Sequence, residues 1–155
     1  MKYKINTLSY ILGLFSVALI FNLYFGFAVN LTNSLPYKVF MINKIATPSV
    51  GSYISFKAPI ESGFPENTII TKQILAGPGD IVNIKNNDFY INEKWVAHAK
   101  SYSLNGEPLV LGPEGKLKQG QYYVSGQHPD SLDSRYQKMG WVYDEQIVAV
   151  AYPIF

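Results

Sequence analysis

Three separated segments carry the side chains of this chain that could do covalent chemistry. The first is Asn30-Leu-Thr32-Asn-Ser34-Leu-Pro36, which offers a serine hydroxyl. The second is Thr68-Ile-Ile-Thr-Lys72-Gln-Ile-Leu-Ala-Gly-Pro-Gly-Asp80, where one lysine interrupts an apolar run. The third, Ser125-Gly-Gln-His128-Pro-Asp-Ser131-Leu-Asp133-Ser-Arg135-Tyr136, is dense in groups able to bond one another. A serine becomes a nucleophile only beside a base. A lysine is no base at neutral pH with a free pKa of about 10.4, but burial disfavours its ammonium form. Ile69, Ile70, Ile74 and Leu75 flank Lys72 and could supply such a setting. Read singly, each segment also has a plain meaning: a loop Ser-x-Pro, a lysine on the solvent face of a strand, and a turn with a surface Asp–Arg pair of little energetic worth. His128 is a second candidate base, in a Ser34–His128–Asp triad that needs no unusual burial. His98, in Trp95-Val-Ala-His98-Ala-Lys100, reads as an ordinary strand or loop residue.

Other chemistries are poorly provisioned. With no cysteine there is no thiol nucleophile, disulfide, iron–sulfur cluster or thiolate-bound zinc, and two histidines make an all-histidine metal site unpromising. No cofactor and no metal is expected. Gly77-Pro78-Gly79 lies between β-type segments, without the following helix that a phosphate-binding loop requires. A net charge of +2 lacks the basic excess usual in nucleic-acid binders.

The elements that must position these residues are legible in the apolar pattern. At 155 residues the chain has room for one domain and an appendage. Ile5 to Tyr37 carries no formal charge, and within it Leu8 to Val29 is apolar but for Ser9, Ser16 and Asn22. A run of roughly 20 helical residues crosses a hydrocarbon core of about 30 Å, and in lipid it must be helical. Residues 1–30 are therefore expected to be a single membrane anchor, with Tyr10, Tyr24, Phe25 and Phe27 toward the interfaces. Lys2 and Lys4 predict a cytoplasmic N-terminus and an exported domain over residues 31–155. The alternative is a cleaved signal peptide, for which Gly26-Phe27-Ala28 offers small residues, although the apolar run exceeds the usual signal core. From Lys38 onward the grammar is that of strands, at 37–42, 52–56, 68–74, 81–84, 89–91, 121–125 and 146–152. Gly77-Pro78-Gly79-Asp80 predicts a turn, and Lys85-Asn86-Asn87-Asp88 a hairpin connection. Ala99 to Gln119 reads as a long loop excursion. The expected fold class is mainly β, an all-β domain on one helix.

Taken together and in this order, the three segments resemble the type I signal peptidase family, over nearly the whole chain. The Ser-x-Pro form preceded by Asn30-x-Thr32, and the string from His128 to Tyr136, are similar to one branch in particular. That branch is the conjugative-transfer, TraF-like peptidases that mature pilins. The sequence departs from the housekeeping leader peptidases in having Ser34-Leu-Pro36 where those have Ser-Met-x-Pro, and Gly126-Gln-His-Pro where those have Gly-Asp-Asn-Arg. It departs from the TraF-like branch in Lys38 and Phe40. The resemblance implies a signal-peptidase-like β domain and a Ser/Lys endopeptidase, with Ser34 as nucleophile and Lys72 as general base. Ser131 would orient Lys72, Asp133 and Arg135 would lock the distal turn, and the Ser34 N–H and Thr32 hydroxyl would receive the oxyanion. The implied partners are a pilin-like precursor held as an extended strand, the inner-membrane bilayer and other conjugation-apparatus proteins, with the domain on the periplasmic side. Acyl transfer to water gives hydrolysis, and transfer to the substrate's own amine gives a circular pilin. A general leader peptidase and a catalytically dead scaffold on the same fold are the competing readings.

Overall fold

The computed structural model describes residues 7–155. Lys2 and Lys4, on which the expected orientation rests, lie outside the described residues. The chain opens with helix α1, Thr7–Tyr24. Its 18 residues rise about 27 Å, near the thickness of a bilayer core. None of its side chains is buried, and it is apolar all round, which in a soluble fold would be a liability. Ser16 keeps its hydroxyl satisfied by donating to the Leu12 carbonyl at 2.8 Å.

The helix ends sooner than its hydropathy suggests. Phe25–Val29 was expected to continue the membrane-spanning run, but it forms strand β1, paired antiparallel with β2 (Val39–Asn43) from Phe25↔Asn43 to Val29↔Val39. The physical reason is a competing set of main-chain partners: β2 offers this segment a full ladder. Gly26 lies so close under Ile42 that even a Cβ would sit 3.3 Å from its side chain. The helix terminus is tied to the same sheet, since the Lys44 N–H donates to the Tyr24 carbonyl at 2.8 Å and its Nζ to the Asn22 carbonyl at 3.1 Å. A cation on the last carbonyls suits the negative end of the helix dipole. Gly26-Phe27-Ala28 thus lies inside a paired strand.

The remaining strands are β3 (Tyr53–Lys57), β4 (Ile69–Ala76), β5 (Ile81–Lys85), β6 (Asp88–Ile91), β7 (Lys94–His98), β8 (Gly115–Lys116), β9 (Gln121–Ser125), β10 (Val142–Tyr143) and β11 (Ile147–Pro153). They form a seven-stranded sheet, ordered β1-β2-β11-β3-β4-β9-β10, and a four-stranded sheet, β7-β6-β5-β8. The mainly β class expected from the sequence is the one observed. β5 and β6 meet through Asn86 and Asn87, at φ 51° and 67°, the left-handed pair that a two-residue hairpin demands and that asparagine tolerates. Gly79, at φ 97°, closes the turn in which the Asp80 N–H donates to the Gly77 carbonyl. The 99–119 segment is not wholly loop as expected: β8 lies within it, pairing with Ile81 and Val82 of β5.

Three apolar clusters hold these layers. Ile54, Phe56, Ile74, Val124 and Val150 pack on one face of the large sheet. Val82, Phe89, Leu117 and Tyr123 fill the space between the sheets. Leu35, Phe40 and Ala151 form a smaller cluster. The last matters most for the site, because buried Leu35 fixes the residue beside Ser34.

Candidate active site

Lys72 lies on β4, where side chains alternate between faces. Ile70 and Ile74 share its face and join the cluster around Ile54 and Val124. Ile69, expected from the sequence to help bury the amine, projects from the other face and is exposed, and Leu75 packs instead on the cluster between the sheets. A period of two, not sequence proximity, decides which neighbours dry a strand residue.

Ser34 reaches this face on a loop held at several points. The Asn30 side-chain amide donates to the Tyr37 carbonyl at 3.0 Å and the Leu35 carbonyl at 3.4 Å. Its Oδ1 accepts the Thr32 N–H at 3.1 Å and the Thr32 hydroxyl at 2.9 Å. The Thr32 hydroxyl hydrogen is thereby committed to Asn30, so Ser34 Oγ, 2.8 Å from Thr32 Oγ1, is the donor between those two hydroxyls. The Ser34 N–H also points at Thr32 Oγ1, at 3.4 Å. From the opposite side the Gln127 N–H donates to the Ser34 carbonyl at 2.8 Å and the His128 N–H at 3.4 Å. The loop of the third segment therefore clamps the first.

That clamp is built on a buried ion pair, not the surface pair that the plain reading of the sequence allowed. Asp133 is fully buried; its Oδ1 accepts from Arg135 Nε at 2.8 Å, and its Oδ2 from Arg135 Nη2 and the Gly126 N–H, each at 2.9 Å. The rest of the guanidinium serves carbonyls: His98 at 2.9 Å, Ser131 at 3.0 Å, Pro129 at 3.2 Å and His128 at 3.3 Å. One planar fork thus shapes the turn that carries Ser131.

Ser131 Oγ accepts from Lys72 Nζ at 2.7 Å. Among the described residues Lys72 has no direct ion pair, since the Asp133 carboxylate is occupied by Arg135 and Gly126. Burial dominates its titration: it pulls the amine from 10.5 down to about 8, against the nearby Asp133 charge that raises it, with Arg135 adding a smaller lowering. The amine is therefore neutral in an appreciable fraction of molecules at mildly alkaline pH.

Ser34 and Lys72 line one cleft with Thr32, Phe64, His128 and Ser131. No hydrogen bond joins Ser34 Oγ to Lys72 Nζ among the described residues; each hydroxyl or amine is held by its own neighbour, Thr32 or Ser131. His128 also borders the cleft, but its Nδ1 accepts the Asp130 N–H at 3.2 Å and makes no bond to Ser34. His98 is at the end of β7, where Nδ1 meets Asp88 at 2.9 Å.

Several contributors were not singled out by the sequence reading. Asn30 is the organiser of the Ser34 loop, and Phe64 and Leu104 form cleft walls. Gly126 is the clearest. A Cβ there would sit 2.1 Å from Ser131 Oγ and 2.9 Å from the Ser34 carbonyl oxygen. Gly126→Ala is accordingly expected to push the two apart. We expect labelling of Ser34 by a serine-reactive acylating probe to fall at least about tenfold, with a loss of stability on the order of 1–3 kcal/mol in thermal melts. Wild-type labelling in this variant would show that the close approach is unimportant.

A family model described as "Signal peptidase, peptidase S26" matches residues 3–155. Comparison with curated proteins finds no match. Among solved structures, a signal peptidase I from Enterococcus faecalis V583 is 24% identical. The alignment covers 68% of this chain and 97% of that one, with a TM-score of 0.46.

Proposed function

The chain belongs to the peptidase S26 signal peptidase family, serine peptidases that act on precursor polypeptides, and from that premise we propose that Ser34 and Lys72 form its catalytic dyad on a membrane-anchored domain. The observation that carries this reading is a buried amine of lowered pKa in the same cleft as a partly exposed serine. Neutral Lys72 takes the Ser34 proton as Oγ attacks the scissile carbonyl; the Ser34 hydroxyl first turns from Thr32 toward the amine. The ammonium then protonates the departing amine, leaving an ester on Ser34. Ser131 holds the Lys72 rotamer. Thr32 and the Ser34 N–H, which meet each other in the resting state, turn outward to the oxyanion.

The substrate's acyl segment has a place to bind. β3 pairs with β4 over Ile69–Gln73, whereas β9 pairs with β4 only from Gln73 onward. Among the described residues nothing pairs with the outer edge of 69–72, and an extended peptide can complete it as an added strand. Val29, Leu31 and Ile69 form apolar walls along this edge. With α1 spanning a bilayer the domain would stand at its surface, and on the exported face of the inner membrane it would meet precursors that present such segments.

Pilin maturation for conjugative transfer is the substrate reading that the motif forms favour, namely Asn30-x-Thr32-x-Ser34-x-Pro36 and His128-Pro129-x-Ser131-x-Asp133-Ser134-Arg135-Tyr136. Purified protein incubated with pilin precursors should release mature chains, read by intact mass, with a circular product one water lighter than a linear one. Cleavage of generic leader peptides but not pilins would make it a general leader peptidase. No processing, together with no labelling of Ser34 by the acylating probe, would identify a scaffold.

The rate of Ser34 acylation should rise with pH as Lys72 loses its proton, with a midpoint near 8 and a plateau above it. Stopped assays across pH 6 to 10 on the order of one turnover check this. A midpoint below 7 would point to an imidazole base.

A further inference from the structure

We propose that the 102–109 segment forms the far wall of a subsite for the leaving side of the substrate, one that accepts uncharged apolar side chains; this rests on the peptidase reading above. The cleft at Ser34 opens in two directions. Through Thr32, Ser34, Phe64 and Lys72 it continues into the trough along the free edge of β4. Through Leu104, Asp130 and Leu132 it continues into a second trough of about 350 Å³, walled by Tyr102, Leu104 and Glu107. That size falls in the range of ligand clefts, roughly 300–1,000 Å³. One groove thus runs past the nucleophile. With the acyl segment on the β4 side, the departing segment has the second trough ahead of it.

The segment is built to stay in place. Tyr102 bridges to Pro108, the Ser103 N–H donates to the Glu107 carbonyl at 2.8 Å, and the Leu109 N–H donates to the Ser101 carbonyl at 2.9 Å. Lys100 pairs with Asp130, which fastens the base of the segment to the loop that carries Ser131. The Lys100 N–H also donates to the Tyr136 hydroxyl at 3.0 Å. Charge in the trough is balanced: Asp130 faces Lys100, and Glu107 lies 3.7 Å from Lys138. What projects without an internal partner cluster is apolar, Leu104 at 82% exposed and Tyr102 at 63%. A neutral trough with two exposed apolar side chains favours a leaving segment bearing leucine-like or aromatic side chains over a charged one. An extended chain advances about 3.3 Å per residue, so the first four leaving-side residues span roughly 13 Å.

The test uses the full-length protein in detergent and fluorogenic peptides with one common acyl segment. The leaving segment is either a single residue, or five residues carrying Leu or Asp at the second and third positions. We expect kcat/KM for the long Leu peptide to exceed that of the other two roughly tenfold, the scale on which apolar pockets discriminate. In Tyr102→Ala/Leu104→Ala these ratios should fall to near one, while Tyr102→Phe/Leu104→Ile retains them; thermal melts verify that both variants fold. Ratios near one in the wild-type protein, or ratios unchanged in the double alanine variant, would overturn the subsite. Absence of cleavage of every peptide, with Ser34 unlabelled by the acylating probe, would overturn the peptidase reading and the subsite with it.

Discussion

Ser34→Ala and Lys72→Ala proteins should leave a precursor uncut over times in which the wild-type protein finishes, a loss on the order of 10⁴- to 10⁶-fold. Either substitution alone should give the whole effect, because in the proposed dyad nucleophile and base would act as a unit, and the double variant should be no worse. Ser34 is only partly buried, so its truncation costs the fold little. Lys72 differs, since it is 5% exposed and, among the described residues, its amine is bonded only to Ser131. Lys72→Met fills the same space without a charge, and it should be equally inactive yet melt several degrees higher at pH 7. The sign follows from the lowered pKa. Between about 8 and 10.5 the unfolded chain binds the proton and the folded one does not, so this residue's contribution to stability rises with pH across that window. Below about 8 both states are protonated and the folded state bears the full cost, roughly 3 kcal/mol. The stability gap between Lys72→Met and wild type should thus be constant below 8 and shrink from 8 to 10.5. Urea melts at several pH values in detergent measure it; a gap independent of pH would mean that the amine is not strained by burial.

The second large effect belongs to Arg135. Arg135→Met keeps much of the bulk but leaves Asp133, with no exposure of its own, as a buried charge without its partner. Breaking a buried pair in this way costs about 3–5 kcal/mol. Four carbonyls, on His98, His128, Pro129 and Ser131, lose the guanidinium as a donor in the same step, although His128 keeps the Ser131 N–H. We expect a fall in melting temperature large enough to measure without extrapolation, proteolytic nicking between residues 126 and 131, and loss of Ser34 labelling as the clamp on its carbonyl opens. Replacing Asp133 and Arg135 together by Leu and Met should recover part of the stability but not the labelling. A stable, nick-resistant Arg135→Met protein would show that the turn is held by other means.

The strand grammar was readable because alternation and turn residues are local signals. Gln121–Ser125 lies where its pattern put it, and Asn86-Asn87 announced its own turn through tolerance of positive φ. β8 and β10 were missed because two residues have no period to detect, and β7 because Lys94–His98 buries little beyond Ala97. The end of α1 was missed for a different reason: Phe25–Val29 is as apolar as the helix before it, and its partner strand is remote in sequence. The candidate site was legible as residue types, and the fold gathers Ser34, Lys72, Ser131, Thr32, Asp133 and Arg135 around one cleft and its supporting turn. What the text could not convey was direction. That Ile69 faces away, that Thr32 and Ser34 bond each other at rest, and that Gly126 must lack a side chain all depend on contacts between segments far apart along the chain.

The passage from α1 into β1 at Tyr24–Phe25, without an intervening linker and with Lys44 tying the helix end to the sheet, makes the apolar helix a mast rather than a leash. With the mast in a bilayer, the cleft sits at one height and one tilt. Substrates would then be sorted by how far their scissile bond stands from the lipid, and a bond too deep or too remote should go uncut whatever its side chains.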